Sequence, residues 1–386
     1  MSNGMRTLTP AIAANFASIA YEANNLNTIQ LTDYYTELKS GFSFESDALS
    51  GVSGSILERV FKHKTTFGCI AEGKTGPFKG DFVIAFRGTD RKRDVVTDLH
   101  CGISSCSNGQ PVHAGFNHTF NSIKQQLEHY FLQAAKQTNS GLKVHVVGHS
   151  LGGAIANLAA NWLKHRFKAN VKLYTFGAPR VGYPSFALKT VTSTNNEIYR
   201  CIHEGDPVPL VPVWPFVHTE NEYILHGAPS ITAKAHSMTA FTPGYLHTAS
   251  GFSNYKAINK GKESRLNKQV KLDYDKRLQA TPTTRWARII GEAIITHLHQ
   301  SGKLHAIQAD ISNTLTVYDK IARVLADSID ISTSHAADVK GILGHILAFC
   351  GAPFKAIELS YRFVRNTLSL MLSALTKMAN LALKAS

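Results

Sequence analysis

The sequence predicts an α/β protein built on a largely parallel sheet, with a helical region appended at the C-terminus. Three observations carry this. Short β-rich runs are bounded by Gly, Pro or polar residues, helical stretches lie between several of them, and the texture turns wholly helical in the last third.

Taken in order, residues 8–24 read as an amphipathic helix, with Ile12, Phe16, Ile19 and Ala20 at helical spacing behind a Thr9-Pro10 start signal. Strands are predicted at Phe67–Ala71, Asp81–Arg87, Lys143–Gly148, Val171–Phe176 and Ile198–His203. Helices are predicted at 115–137, 153–168 and 184–190, and the alternation argues for parallel strands covered on both faces. After Tyr255 comes a polar, basic stretch, then helical segments near 284–301, 303–329, 335–350 and 354–384. The expected organisation is a catalytic domain over 1–255, a basic linker over 256–283, and a helical region over 284–386 that binds a membrane or a partner.

The 386 residues suffice for a full core and a second unit. Composition is 44% hydrophobic and only 18% charged, which excludes a disordered chain. Lys and Arg outnumber Asp and Glu by 41 to 27, so the net charge of +14 draws the protein towards polyanions. No zinc-finger spacing or RNA-binding signature accompanies that charge, so an anionic membrane surface is the expected partner and nucleic acid is not. Five scattered cysteines argue against a disulfide framework, although Cys101 and Cys106 are close enough to invite a bridge. No Cys/His spacing fits a metal, and neither metal nor cofactor is expected. The first ten residues lack a basic head and an apolar run, and the longest uncharged stretches near the C-terminus, 341–354 and 366–376, fall short of the roughly 20 residues that span a bilayer. The expectation is a cytoplasmic protein, or one exported without a classical signal peptide, in peripheral contact with membrane.

Chemistry enters at Gly148-His149-Ser150-Leu151-Gly152, a G-x-S-x-G pattern whose glycines permit a tight turn that projects a serine. The bare pattern arises by chance in a chain of this glycine content on the order of one time in ten. Its setting is more specific, because a strand-like run precedes it and the helical Ala154–Phe167 follows. That is the strand–turn–helix junction at which an α/β-hydrolase holds its nucleophile, so Ser150 is the candidate. A serine hydroxyl needs a base to take its proton, and in this fold the acid and the histidine follow the serine in the chain. Asp206 lies just past a predicted strand and fits the acid. His218, His236 and His247 all follow it in loop-like sequence, and composition does not choose among them.

With these residues in place the sequence resembles the class 3 lipase family. The motifs Phe86-Arg87-Gly88-Thr89, Asp94–Leu99, Val112–Phe116, Gly148–Gly152, Thr175–Arg180 and Asp206–Pro209 occur in the family's order and cover roughly residues 8–255. The resemblance implies Ser150 as nucleophile, Asp206 as acid, and an oxyanion hole formed at Thr89 and Leu151. It also implies a structural role for His218, beside Glu222, and places the base at His236, with His247 as the alternative. The stretch matching the family's lid, Asp90, Arg91, Lys92, Arg93, Asp94, Val95 and Val96, is basic and poor in aromatics. Such cations suit lipid phosphate and favour phospholipid at a membrane over neutral oil.

The function expected from the sequence is hydrolysis of glycerolipid esters, of phospholipase A or triacylglycerol lipase type, by a Ser-His-Asp triad. The alternatives are a lipid acyltransferase with the same triad, and a membrane-disrupting effector whose helical C-terminus carries the effect. An effector would add a delivery or neutralising protein to the partners.

Overall fold

A computed structural model describes residues 4–25, 38, 40–45, 49–52, 64–88, 102–138, 141–219, 221–228, 230–239, 244–262, 269–309, 317–352 and 357–385. The expected lid residues, Asp90 to Val96, and Thr89 lie outside them, as does Cys101.

Helix α1 (Pro10–Ile19) opens the fold. Thr9 caps it by accepting from the Ile12 N–H, and Pro10 occupies the first turn, where no amide donor is required. Strands β1 (Phe42–Phe44) and β2 (Leu49–Val52) lie antiparallel on β3 (Lys64–Gly73), which pairs antiparallel with β4 (Phe82–Phe86). A separate ribbon of β5 (Ile103–Ser105) and β6 (Pro111–His113) leads into α2 (Ala114–Gln137). Then β7 (Lys143–His149), α3 (Leu151–Phe167), β8 (Asn170–Phe176), α4 (Pro184–Ser193) and β9 (Ile198–His203) alternate in the manner of crossover units. β10 (Asn221–His226) adds a further parallel strand, α5 (Tyr245–Ser250) follows, and β11 (Asn259–Lys262) closes the edge antiparallel to β10.

The strand order is β1-β3-β4-β7-β8-β9-β10-β11, parallel from β4 to β10. Successive residues of β4 face opposite cores, as the strand's twofold alternation requires. Ile84 and Phe86 pack with α2 and α3, while Val83 and Ala85 pack with α1 and α5. Both sides are buried, so the central strands read as continuous apolar runs without alternation.

The C-terminal region comprises α6 (Thr284–Gln300), α7 (Leu304–Ala309), α8 (Val317–Ile329), α9 (Thr333–Phe349) and α10 (Tyr361–Ala385). The helix expected over 303–329 is described over Leu304–Ala309 and Val317–Ile329, and residues 310–316 lie outside the described residues. The last predicted helix carries an apolar face of Ile357, Tyr361, Val364, Leu368, Met371 and Leu375, which the sequence offers to a membrane; Val364, Leu368, Met371 and Leu375 of α10 are buried and continuous with the core beneath α2 and α3, and Ile357 and Tyr361 pack against it partly buried. A further tie is ionic. Glu222 of β10 receives Arg200 of β9 at 2.9 Å and Arg288 of α6 at 2.9 and 3.2 Å. Burial pushes the Glu222 carboxyl up, but the two guanidiniums outweigh it and hold the group below its ordinary value. Among the described residues, no helix is long and apolar enough to cross a membrane.

The stretch expected to be a basic linker does more than connect. It supplies β11 to the sheet, and its 3-10 turn Tyr274–Gln279 packs on α9, where a side chain on Gly344 would collide with the Tyr274 ring. Short edge elements of this kind carry too few residues for periodicity to register.

Candidate active site

The turn after β7 is forced by its neighbours. A Cβ on Gly148 would lie 2.2 Å from the Gly152 carbonyl oxygen, and one on Gly152 would lie 2.3 Å from that of Phe86. Only glycine fits either place. Ser150 between them has φ 56° and ψ −130°, a conformation costly for any residue with a side chain and concentrated at functional sites. Its own amide donates to the Phe176 carbonyl at 3.0 Å, and its carbonyl accepts from Gly153 at 2.9 Å. This strand–elbow–helix junction on a parallel sheet is the α/β-hydrolase arrangement. α3 begins at Leu151, so the positive end of its dipole lies beside the serine.

Three side chains converge there. Ser150 Oγ lies 2.8 Å from His236 Nε2, and His236 Nδ1 lies 2.8 Å from Asp206 Oδ2. All three residues are buried. His236 ends a 3-10 turn, Ala233–His236, and Asp206 follows β9, so two loops meet the elbow at the carboxyl ends of the strands. Gly177, after β8, leaves the room for this, since a side chain there would press on Asp206 Oδ2 and His236 Nδ1. The other two histidines are placed elsewhere. His218 donates from Nε2 to the Pro209 carbonyl at 2.9 Å, and His247 is exposed on α5.

Two supporting layers were not singled out from the sequence. Around the acid, Tyr245 donates to Asp206 Oδ2 at 2.7 Å and accepts from the His203 amide at 3.1 Å, and the Val208 amide donates to Oδ1 at 2.9 Å. Burial, reinforced by the Asp206 charge, holds the Tyr245 phenol well above its ordinary value, so it remains a donor. The His203 ring stacks on Tyr245 at 3.9 Å and donates to the Ala235 carbonyl at 2.7 Å.

Around the nucleophile, His149 Nε2 lies 2.8 Å from the His236 carbonyl, and a carbonyl only accepts, so this nitrogen carries the proton. Burial and the neighbouring His236 ring hold His149 well below its ordinary pKa, leaving Nδ1 as an acceptor. The Tyr21 hydroxyl, 2.6 Å away, donates to it and accepts in turn from the Gly88 amide at 3.0 Å. No sequence signal marks Tyr21, which lies near the end of the opening helical segment and belongs to none of the motifs named. Tyr245 carries no signal of its own either, since it lies on the short helix α5 and acquires its role only from Asp206 and His203.

The helical region also reaches the site. α10 runs against the 3-10 turn that ends in His236, and the Thr284 hydroxyl at the start of α6 donates to the Glu204 carbonyl at 2.6 Å, two residues before Asp206.

Residues 83–216 match the family model "Lipase (class 3)". Over these residues the chain is similar to the class 3 lipase family. The matched segment contains Ser150 and Asp206, while His236 lies beyond its end. Among similar proteins, a secreted mono- and diacylglycerol lipase of Fusarium solani is 36% identical over 182 residues, 46% of this chain and 53% of that protein. A lipase of Rhizopus niveus is 39% identical over 216 residues, covering 53% of this chain and 50% of the relative. The chain thus spans about half the length of the curated relatives it matches. The solved lipase II from Rhizopus niveus superposes with a TM-score of 0.43 at 25% identity, over 55% of this chain and 78% of that one. The segment that matches the class 3 lipase model ends before the helical region begins.

Proposed function

We propose that this protein hydrolyses carboxylic esters of glycerolipids, with Ser150 as nucleophile, His236 as general base and Asp206 as the carboxylate that orients it. The observation that carries the reading is the unbroken hydrogen-bond line from Ser150 Oγ through both nitrogens of His236 to Asp206, at 2.8 Å each. Attack of Oγ on the acyl carbonyl passes the serine proton to His236 Nε2, and the imidazolium returns it to the leaving alcohol. Water then enters, His236 takes one of its protons, and the acyl-enzyme gives free fatty acid and Ser150. Asp206 keeps Nδ1 protonated, and donation from Tyr245 and the Val208 amide fixes the carboxylate so that the ring has one orientation. The Leu151 amide, at the head of α3, and Thr89 are the proposed oxyanion donors.

The glycerolipid class is supported by the family model that residues 83–216 match and by relatives named as lipases, three of them as mono- and diacylglycerol lipases. The basic stretch 90–96 favours a phosphate-bearing lipid within that class, and the surplus of 41 basic over 27 acidic residues favours an anionic surface. The test is mass-spectrometric product analysis on mixed vesicles of phospholipid, diacylglycerol and triacylglycerol. Free fatty acid released by the parent chain and not by Ser150→Ala supports the reading. Acyl transfer to a lipid alcohol without free acid would replace it with the transferase reading.

A further inference from the structure

Between the sheet domain and the helical region lies a cavity of about 660 Å³, walled by α4, the segment 210–219, α6, α8 and α10. Among the described residues that line it, none belongs to the triad. Its size falls within the roughly 300–1,000 Å³ of small-molecule sites. The lining is chiefly apolar and extended. Leu368, Met371, Leu372 and Leu375 occupy two turns of α10, roughly 10 Å of helix, and Ile294 and Ile295 of α6 and Trp214 complete the stretch. Leu188 of α4 also lines it and is 66% exposed, so the cavity reaches the surface there.

The charged residues described on the wall are already engaged inside the protein. Arg288 holds both carboxylate oxygens of Glu222, and Arg180 donates to the Leu210 and Pro212 carbonyls at 3.1 and 3.3 Å. Glu292 has an interaction of its own. His218 donates to the Pro209 carbonyl, and burial together with the neighbouring guanidiniums holds it well below its ordinary pKa. A carboxylate or phosphate entering this space would give up its hydration without gaining a cation free to replace it, a penalty that an uncharged ligand escapes. Thr219 adds a hydroxyl to the lining, which suits a small uncharged polar head.

The cavity is also kept open where filling it would help the fold. Gly291 lines it from the middle of the 17-residue helix α6, and a Cβ there would meet nothing within 4 Å. The glycines inside α9 differ, since side chains on Gly341 and Gly344 would collide with Leu272 and Tyr274. Glycine within a helix is less favourable than alanine, and at Gly291 no close approach of another segment demands it. An alkyl chain would supply the contacts that the wall lacks.

We infer that this cavity binds one uncharged lipid with a single alkyl chain and a hydroxyl head, the chain lying between α6 and α10. The inference rests on the lining of the cavity and not on the reaction proposed for the triad.

The test uses the full chain and octadecanol brominated at mid-chain, whose bromines quench tryptophan on contact and which has no ester for Ser150 to attack. Saturable quenching is expected, and Trp214→Phe removes the saturable part. Gly291→Leu raises the apparent Kd at least tenfold while the Tm stays level or rises, because the substitution favours the helix and fills the site. Leu372→Phe, which fills the cavity from α10, repeats the loss independently should Gly291→Leu fold poorly. Ser150→Ala leaves the affinity unchanged. The corresponding brominated stearate, in its ionised form, binds at least tenfold more weakly than the alcohol. Absence of saturable quenching, saturable quenching that survives Trp214→Phe, or a Kd unchanged in the folded cavity-filling variants overturns the site. Equal or tighter binding of the carboxylate overturns its assignment to an uncharged lipid.

Discussion

Tyr21 and His149, 128 residues apart, are joined by a 2.6 Å hydrogen bond that ties the loop at Gly88 to the turn bearing His236. Its direction follows from the His149 tautomer, since Nε2 donates to the His236 carbonyl and Nδ1 can only accept. Gly88 immediately precedes Thr89 in the chain, so the phenol holds the residue next to one proposed oxyanion donor. Tyr21→Phe removes the bond and little volume. The expected result is a fall in kcat of roughly 10–100-fold on a soluble p-nitrophenyl ester with KM nearly unchanged, the size typical of a lost supporting bond at a reactive site. A fall in KM-linked binding alone, with kcat preserved, would assign Tyr21 to substrate contact instead.

Ser150→Ala is expected to fold normally by circular dichroism and to lose ester hydrolysis by several orders of magnitude. His236→Ala should be nearly as damaging, because a triad acts as a unit, whereas His247→Ala should stay within a few-fold of the parent. Parent-like turnover by Ser150→Ala would displace the nucleophile assignment.

Removal of residues 284–386 is expected to abolish turnover even of a soluble short-chain ester, and to lower the Tm sharply or prevent folding. The sequence offers this region as one that binds a membrane or a partner. Its packing argues that it also supports the site, since α10 lies on the turn that ends in His236 and α6 carries Arg288 to the buried Glu222. Exposing that core and half-breaking a buried ionic cluster costs several kcal/mol on both counts. Full soluble-ester activity in a folded truncated chain would show that the helices are dispensable to the site.

Stability is expected to fall as pH drops from about 6.5 towards 4. Burial pushes His203 down to about 4 and holds His149, His145 and His218 below their ordinary value. In that window the unfolded chain binds protons that the folded chain refuses, so stability is fully present above the unfolded pKa and is lost on acidification. His203 alone contributes on the order of 3 kcal/mol across the window. Urea titrations at pH 7, 6 and 5 measure it. A midpoint independent of pH over this range would mean that these rings are protonated in the fold or reach water.

Much of the central chain was legible because its physics is local. An apolar run between turn residues is a strand wherever it lies, and Gly-x-Ser-x-Gly between strand and helix describes its own backbone. The central strands, the elbow at Ser150 and the helices on either side are of this kind. Asp206 was legible from its place after a strand. The sequence left three histidines open, because loop sequence does not encode which ring the fold turns towards a serine 86 residues away; the family's pattern, not the residues themselves, favoured His236.

What only the tertiary structure decided was which apolar faces meet and which remote polar groups pair. The face of α10 has the pattern of a membrane-seeking helix and of a core helix alike, since both bury one stripe of Leu, Met and Val. Its burial against the sheet domain distinguishes them. Tyr21, Tyr245 and His203 carry no local signature, because a buried polar side chain acquires its role from the partner that satisfies it. That partner is chosen by the crossings of the chain, at 39 residues for Tyr245 with Asp206 and 128 for Tyr21 with His149, separations that periodicity over one or two turns does not span.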